Sequence, residues 1–188
     1  MMSFITSSRE RKLWIWLLIV LAGIYATLGL AGTIAIQLEE RLLNHIFFWV
    51  FILLVIALLG LAVQRKFSNK QIWIIIAIVA VYGMVFLRMG ANPAERTHII
   101  EYSVVGILVY MILLERKANG RKLWSPAIVA IVITAALGLV DESIQYFIPN
   151  RVFDWIDVGF NAFAGFLGVS TKATLNWGAR KITDFRRS

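Results

Sequence analysis

Apolar residues run along this chain in six long stretches, separated by short segments that hold most of its charge. The stretches fall at about 13–37, 46–63, 72–87, 98–114, 127–147 and 155–175. A helix rises 1.5 Å per residue and a bilayer presents about 30 Å of hydrocarbon, so each stretch is of roughly spanning length. The pattern predicts an all-α integral membrane protein, a bundle of about six transmembrane helices. The fourth stretch is short in apolar residues because His98 and Glu101 stand in its first turn. The apolar run that begins at Leu13 is longer than a signal-peptide core and no clear cleavage site follows it, so it reads as a retained first span. By composition along the chain, 1–92 forms an N-terminal three-helix membrane region, 93–176 a three-helix region with polar motifs, and 177–188 a basic tail.

The composition supports the same class. Of the 188 residues 60% are hydrophobic, and the mean hydropathy is +0.77. A soluble domain of that size has too little interior to hide so much apolar surface. The absence of cysteine excludes disulfides, thiolate nucleophiles and thiolate metal sites. A net charge of +8 raises the question of nucleic acid, but the basic residues sit in short patches between apolar runs, which argues for a bilayer and against nucleic acid.

Those patches set an orientation. Arg9, Arg11 and Lys12 precede the first stretch, and Arg65, Lys66 and Lys70 lie between the second and third. Arg116, Lys117, Arg121 and Lys122 lie between the fourth and fifth, and Lys172, Arg180, Lys181, Arg186 and Arg187 come at the end. These are fifteen of the nineteen basic residues; Arg41, Arg88, Arg96 and Arg151 fall on the opposite side. The bias predicts both termini in the cytoplasm. Eight of the eleven acidic residues fall on the outer side.

With that topology the polar residues of three helix ends meet at one depth. His98 and Glu101 open the fourth stretch, Asp141, Glu142 and Gln145 close the fifth, and Asp157 and Asn161 open the sixth. His98 and Glu101 are three apart and Asp141 and Gln145 four apart, so each pair shares a helix face. Asp154, Asp157 and Asn161 form a stripe along another. Pro149 and Asn150 break the chain between the fifth and sixth stretches, and Arg151 follows among the carboxylates. Ionisable groups at membrane depth usually face a bundle interior or a wet cavity. Two readings remain. The acids cap helices and tie the hairpin through Arg151, or they line an outward-facing polar pocket.

Other features have plainer readings. His45 is expected in a hydrated loop with Glu39, Glu40 and Arg41. Trp14, Trp16, Trp49, Trp73, Trp124, Trp155 and Trp177 stand near span ends as interfacial anchors. Ala164, Gly165 and Gly168 offer a small-residue face for close helix packing.

The stretch DESIQYFIPNRVFDWIDVGFNAFAGFLG, residues 141–168, resembles the pattern of the VanZ-like membrane proteins. That pattern runs Asp-Glu-x-x-Gln-x-Phe-x-Pro-x-Arg, then Asp-x-x-x-Asn-x-x-Gly-x-x-x-Gly. Asp141, Glu142, Gln145, Phe147, Pro149, Arg151, Asp157, Asn161 and Gly168 match it. Upstream, ERTHIIEYSVVGIL supplies His98, Glu101, Tyr102 and Gly106 in a second similar motif. Asn150 stands where Gly is common, Ala164 replaces the first Gly of the helix face, and Asp154 is outside the pattern. The resemblance covers about 93–168.

It implies a multi-pass protein of the bacterial plasma membrane, in cell-envelope or teicoplanin-resistance biology, without implying a reaction. Three mechanisms fit the residues. One is a binding protein whose outer pocket, with Gln145, Arg151, Asp157 and Asn161 as ligand-binding residues, engages an envelope lipid, a glycopeptide or a partner. Another is a small intramembrane hydrolase or transferase, with His98 as base oriented by Glu101 and with Asp141 or Glu142 as acid or metal ligand. Carboxylates with one His suit Mg²⁺ or Mn²⁺ better than zinc, although no cofactor is required. A proton-coupled transporter is the third, weakened because no charged residues continue the path through the inner halves of the spans.

Overall fold

The fold comes from a computed structural model. It describes residues 5–37, 69–88, 93–148 and 152–187, with isolated positions between 42 and 56. Five helices stand among them: α1 (Ser8–Gln37), α2 (Asn69–Arg88), α3 (Pro93–Ala118), α4 (Pro126–Gln145) and α5 (Trp155–Arg187). No strand occurs among the described residues.

The all-helical class stands, but six spans are not reached among the described residues. Three segments are long and apolar enough to cross a membrane, namely Ser8–Leu28, His98–Ala118 and Pro126–Gln145, and Gln71–Val85 is a shorter apolar helix. Much of the expected 46–63 span lies outside the described residues. The expected sixth span is helical throughout, yet Asp157, Asn161 and Lys172 interrupt its apolar run. Past that run α5 continues as one helix to Arg187, so the basic tail is helical as well. His45 is exposed, as expected, but it is helical and not part of a loop.

The chain divides into two compact units, Met1–Thr33 with Thr97–Ser170, and Ile34–Arg96 with Thr171–Ser188. In the second, a Cβ built on Gly178 would lie 2.6 Å from Ile74 Cδ1, so α5 there passes α2 closely. The first unit carries the polar motifs. Its centre is α3, whose apolar window is 50% buried, against 22% for α1 and 28% for α4. Leu13, Leu17 and Ile24 of α1, Val105, Val109, Ile112 and Leu113 of α3, Ala130 of α4 and Val169 of α5 form its core. Facing outward are Trp16, Leu18, Val132, Phe163 and many other large apolar side chains. Such a surface is at home in hydrocarbon, not in water.

Helices in the first unit approach closely because small residues stand at the crossings. A Cβ on Gly168 would collide with the carbonyl oxygen of Ser103, and one on Gly106 would lie 2.8 Å from that of Gly165. The Ser103 hydroxyl donates to the Ala164 carbonyl at 3.1 Å. The small face of α5 is thus a packing face against α3, as its composition suggests.

Chain ends and turns follow local chemistry. Pro126 occupies the first turn of α4, where its missing N–H costs nothing. α3 ends at Gly120, with φ of 84°, and Arg121 N–H reaches back to the Arg116 carbonyl at 3.0 Å. That six-residue closure is the usual left-handed helix stop.

One end of the first unit is locked by a buried carboxylate. Ser7 caps α1, its hydroxyl accepting the Glu10 N–H at 3.0 Å, as a Ser-x-x-Glu box does. Glu10 is fully buried. It accepts from Thr6 N–H and Thr6 hydroxyl at 2.7 and 2.6 Å, from Trp14 Nε1 at 3.1 Å, and from Arg116 Nε at 2.6 Å. The Arg116 guanidinium also lies 5.6 Å from the centroid of the Trp14 ring. Trp14 is therefore a member of this clasp. The other described tryptophans named above are exposed. Arg9, 3.5 Å from Glu115 and 70% exposed, adds little.

Candidate functional site

The opposite end of the first unit, where α3 and α5 begin and α4 ends, gathers the polar residues. His98, Tyr102, Asp141, Glu142, Gln145 and Asn161 are all buried there. Asp157 and Glu101 are half-buried. Helical spacing explains the gathering: each helix contributes groups three or four residues apart on its inward face.

The geometry is specific. His98 Nδ1 lies 3.9 Å from Asp141 Oδ2. Glu142 accepts from Gln145 Nε2 at 2.8 Å and from the Asp154 backbone N–H at 3.2 Å, which fastens the end of α4 to the start of α5. His98, Glu142 and Asp157 each offer a ligand atom, and all three atoms lie within 4.8 Å of one another. Glu142 also feels the like charges of Asp157, Asp141 and Asp154. Asn161 is wholly buried, and neither amide atom has a hydrogen-bond partner among the described residues. Its side chain lies over Gly138, where a built Cβ would meet Asn161 Cβ at 2.5 Å. Gly138 is one turn before Glu142, and Asn161 is one turn after Asp157. The amide thus borders the acidic group from within the bundle.

The capping reading has a share in this arrangement. Asp154 is a cap: its carboxylate accepts the Ile156 N–H at 2.7 Å, and it is exposed. That is ordinary N-cap chemistry and accounts for one of the acids. The others face inward together. The charge of Glu101 interacts with that of Asp141. The carboxylate at His98 Nδ1 is that of Asp141, whereas Glu101 was the expected orienting group. Pro149, Asn150 and Arg151 lie outside the described residues. At this end, Tyr146, Phe147, Val152 and Trp155 are strongly exposed, as side chains at a bilayer interface would be.

Tyr25 is the residue that sequence reasoning missed. It stands on α1, in electrostatic reach of both Asp141 and Tyr102, and its hydroxyl is buried without a hydrogen-bond partner among the described residues. A lone tyrosine hydroxyl within an apolar run was the available signal.

Comparison with known proteins adds one result. The VanZ/LLP1 family profile matches residues 2–175, well beyond the motifs that carry the resemblance. No curated protein and no solved structure shows a significant match.

Proposed function

The chain belongs to the VanZ/LLP1 family, and we propose that it acts in the bacterial cell envelope, in glycopeptide resistance of the teicoplanin type. In this reading it is a multi-pass plasma-membrane protein of about six spans with both termini in the cytoplasm. Its polar cluster is an outward-facing pocket for an envelope lipid, a glycopeptide or a partner protein. Gln145, Asp157, Asn161 and, beyond the described residues, Arg151 contact the ligand.

The observation that supports this best is the burial of six polar side chains from α3, α4 and α5 together at one end of the first unit. Inserting an ionisable residue at membrane depth costs at least about 2.5 kcal/mol on biological scales, and such residues mark functional sites by default. The far end of the same unit carries Arg9, Arg11, Lys12, Arg116, Lys117, Arg121 and Lys122. Basic residues collect on the cytoplasmic side, which favours an outward pocket.

The natural chain has no cysteine, so single introduced thiols report the orientation. Asn92→Cys should react with an impermeant thiol reagent on intact cells, and Asn119→Cys should not. The reverse labelling would turn the pocket to the cytoplasm.

For function, cells expressing the chain should tolerate more teicoplanin than control cells. Gln145→Ala and Asn161→Leu should lose that protection at unchanged membrane abundance. Purified protein should also retain labelled envelope lipid saturably. If abundance falls in step with protection, the cluster is scaffold. Product release from the lipid, abolished by EDTA, would replace binding with the enzyme reading.

A further inference from the structure

Among the buried groups, the three-helix cluster carries an inference about what occupies it. We infer that His98, Glu142 and Asp157 hold a divalent cation. The inference deepens the pocket reading above and rests on the same site.

The donor set comes first. An imidazole and two carboxylates, one from each of three helices, place their ligand atoms within 4.8 Å of one another. Two ligands of one ion, each 2.0–2.6 Å from it, are separated by about 3–5 Å. Little rearrangement is needed to close the three donors on a single centre. One nitrogen among oxygens suits Mn²⁺ better than Mg²⁺, which prefers oxygen and keeps its water, while Zn²⁺, without a second nitrogen or a sulfur here, serves as a competitor through its generally higher affinity than Mn²⁺.

Two features surround the donors as supporting groups surround a metal. Glu142 is held by Gln145 Nε2 at 2.8 Å, which fixes the carboxylate's orientation. Asp141 stands 3.9 Å from His98 Nδ1, so a small shift would give the imidazole the carboxylate that a histidine ligand's other nitrogen commonly has.

An independent observation is Asn161. It is fully buried with both amide atoms lacking hydrogen-bond partners among the described residues, one helical turn from Asp157. A buried unsatisfied amide is uncommon and calls for a missing water or ion. An amide one turn along the helix from a carboxylate donor would hold a water bound to such an ion. A cation also changes what the pocket can accept. Acids alone repel a phosphate headgroup, whereas a bound divalent ion attracts one.

The test uses the full chain in detergent, stripped with chelator and titrated with Mn²⁺ followed by electron paramagnetic resonance, with Zn²⁺ as competitor. One Mn²⁺ should bind per chain, and Zn²⁺ should displace it. His98→Ala, Glu142→Gln and Asp157→Asn should each weaken binding tenfold or more, and Asn161→Leu by about tenfold, as supporting residues do. Asp154→Asn keeps its cap and should bind as the parent does.

Thermal unfolding without metal identifies any variant that fails to fold, and Glu142→Gln serves as the near-isosteric check. No saturable binding by the parent, or equal binding by folded Glu142→Gln, overturns the site. Lipid retention and teicoplanin protection are scored separately. Mn²⁺ binding without either removes the pocket's proposed function and leaves the cation site, while lipid retention without Mn²⁺ binding removes the cation site alone.

Discussion

Arg116→Ala should lower the stability of the first unit by about 3 kcal/mol, because it strips the cation from a wholly buried carboxylate. Breaking one side of a buried pair typically costs about 3–5 kcal/mol. The lower figure applies because Glu10 sits at a helix end, closed off by Thr6, Trp14 and Arg116. Arg116→Lys should recover little. The Nε donor at 2.6 Å and the guanidinium beside the Trp14 ring both depend on the planar group. Pairing Glu10→Gln with Arg116→Met should restore much of the loss, since a neutral pair leaves no charge stranded. Thermal unfolding in detergent and membrane abundance measure all three. An Arg116→Ala protein as stable as the parent would mean that the clasp contributes nothing.

Gly168→Ala should cost about 1–3 kcal/mol, the usual range for overpacking a tight site. Its new methyl group would collide with the Ser103 carbonyl oxygen of α3, which cannot move without dragging the helix. Gly23→Ala on α1 is the matched comparison, because nothing lies within 4 Å of a Cβ there. That change should be neutral or stabilising by up to about 1 kcal/mol through helix propensity. Equal effects at the two positions, read by thermal unfolding, would remove close α3–α5 packing as a source of stability.

The convergence of His98, Asp141, Glu142, Gln145, Asp157 and Asn161 was legible in the sequence for a simple reason. Antiparallel helices joined by short turns must bring certain ends to one depth, and i, i+3 and i, i+4 spacing then chooses the inward face. Which carboxylate meets His98 was not legible. Asp141 and Glu142 are adjacent, point about 100° apart on α4, and are both buried, so only the packing of α3 against α4 decides between them.

Glu10 escaped for a different cause. It lies among Arg9, Arg11 and Lys12, and a charge count absorbs one acid into a basic patch. Ser7 three residues before it was the local sign of a capped helix start. The part Trp14 plays in the clasp was equally hidden, since its distance from the helix end looks the same whether or not the ring also meets an arginine. The count of six goes beyond the described residues, which hold three segments long and apolar enough to cross, because every periodic apolar run was equated with a crossing. α5 is helical over 33 residues, but its polar stripe makes it a bundle-facing element first.

The clasp between Glu10 and Arg116 also has a timing. The two residues are 106 positions apart in the chain. A ribosome adding about 5–20 residues per second needs roughly 5–20 s to make that interval. For that period the first span must sit in the translocation machinery or the bilayer with Glu10 held by Thr6 and Trp14 alone. A nascent chain stopped before α3 is complete therefore exposes an unneutralised acid at its own beginning. That defect is available for membrane proteases to recognise.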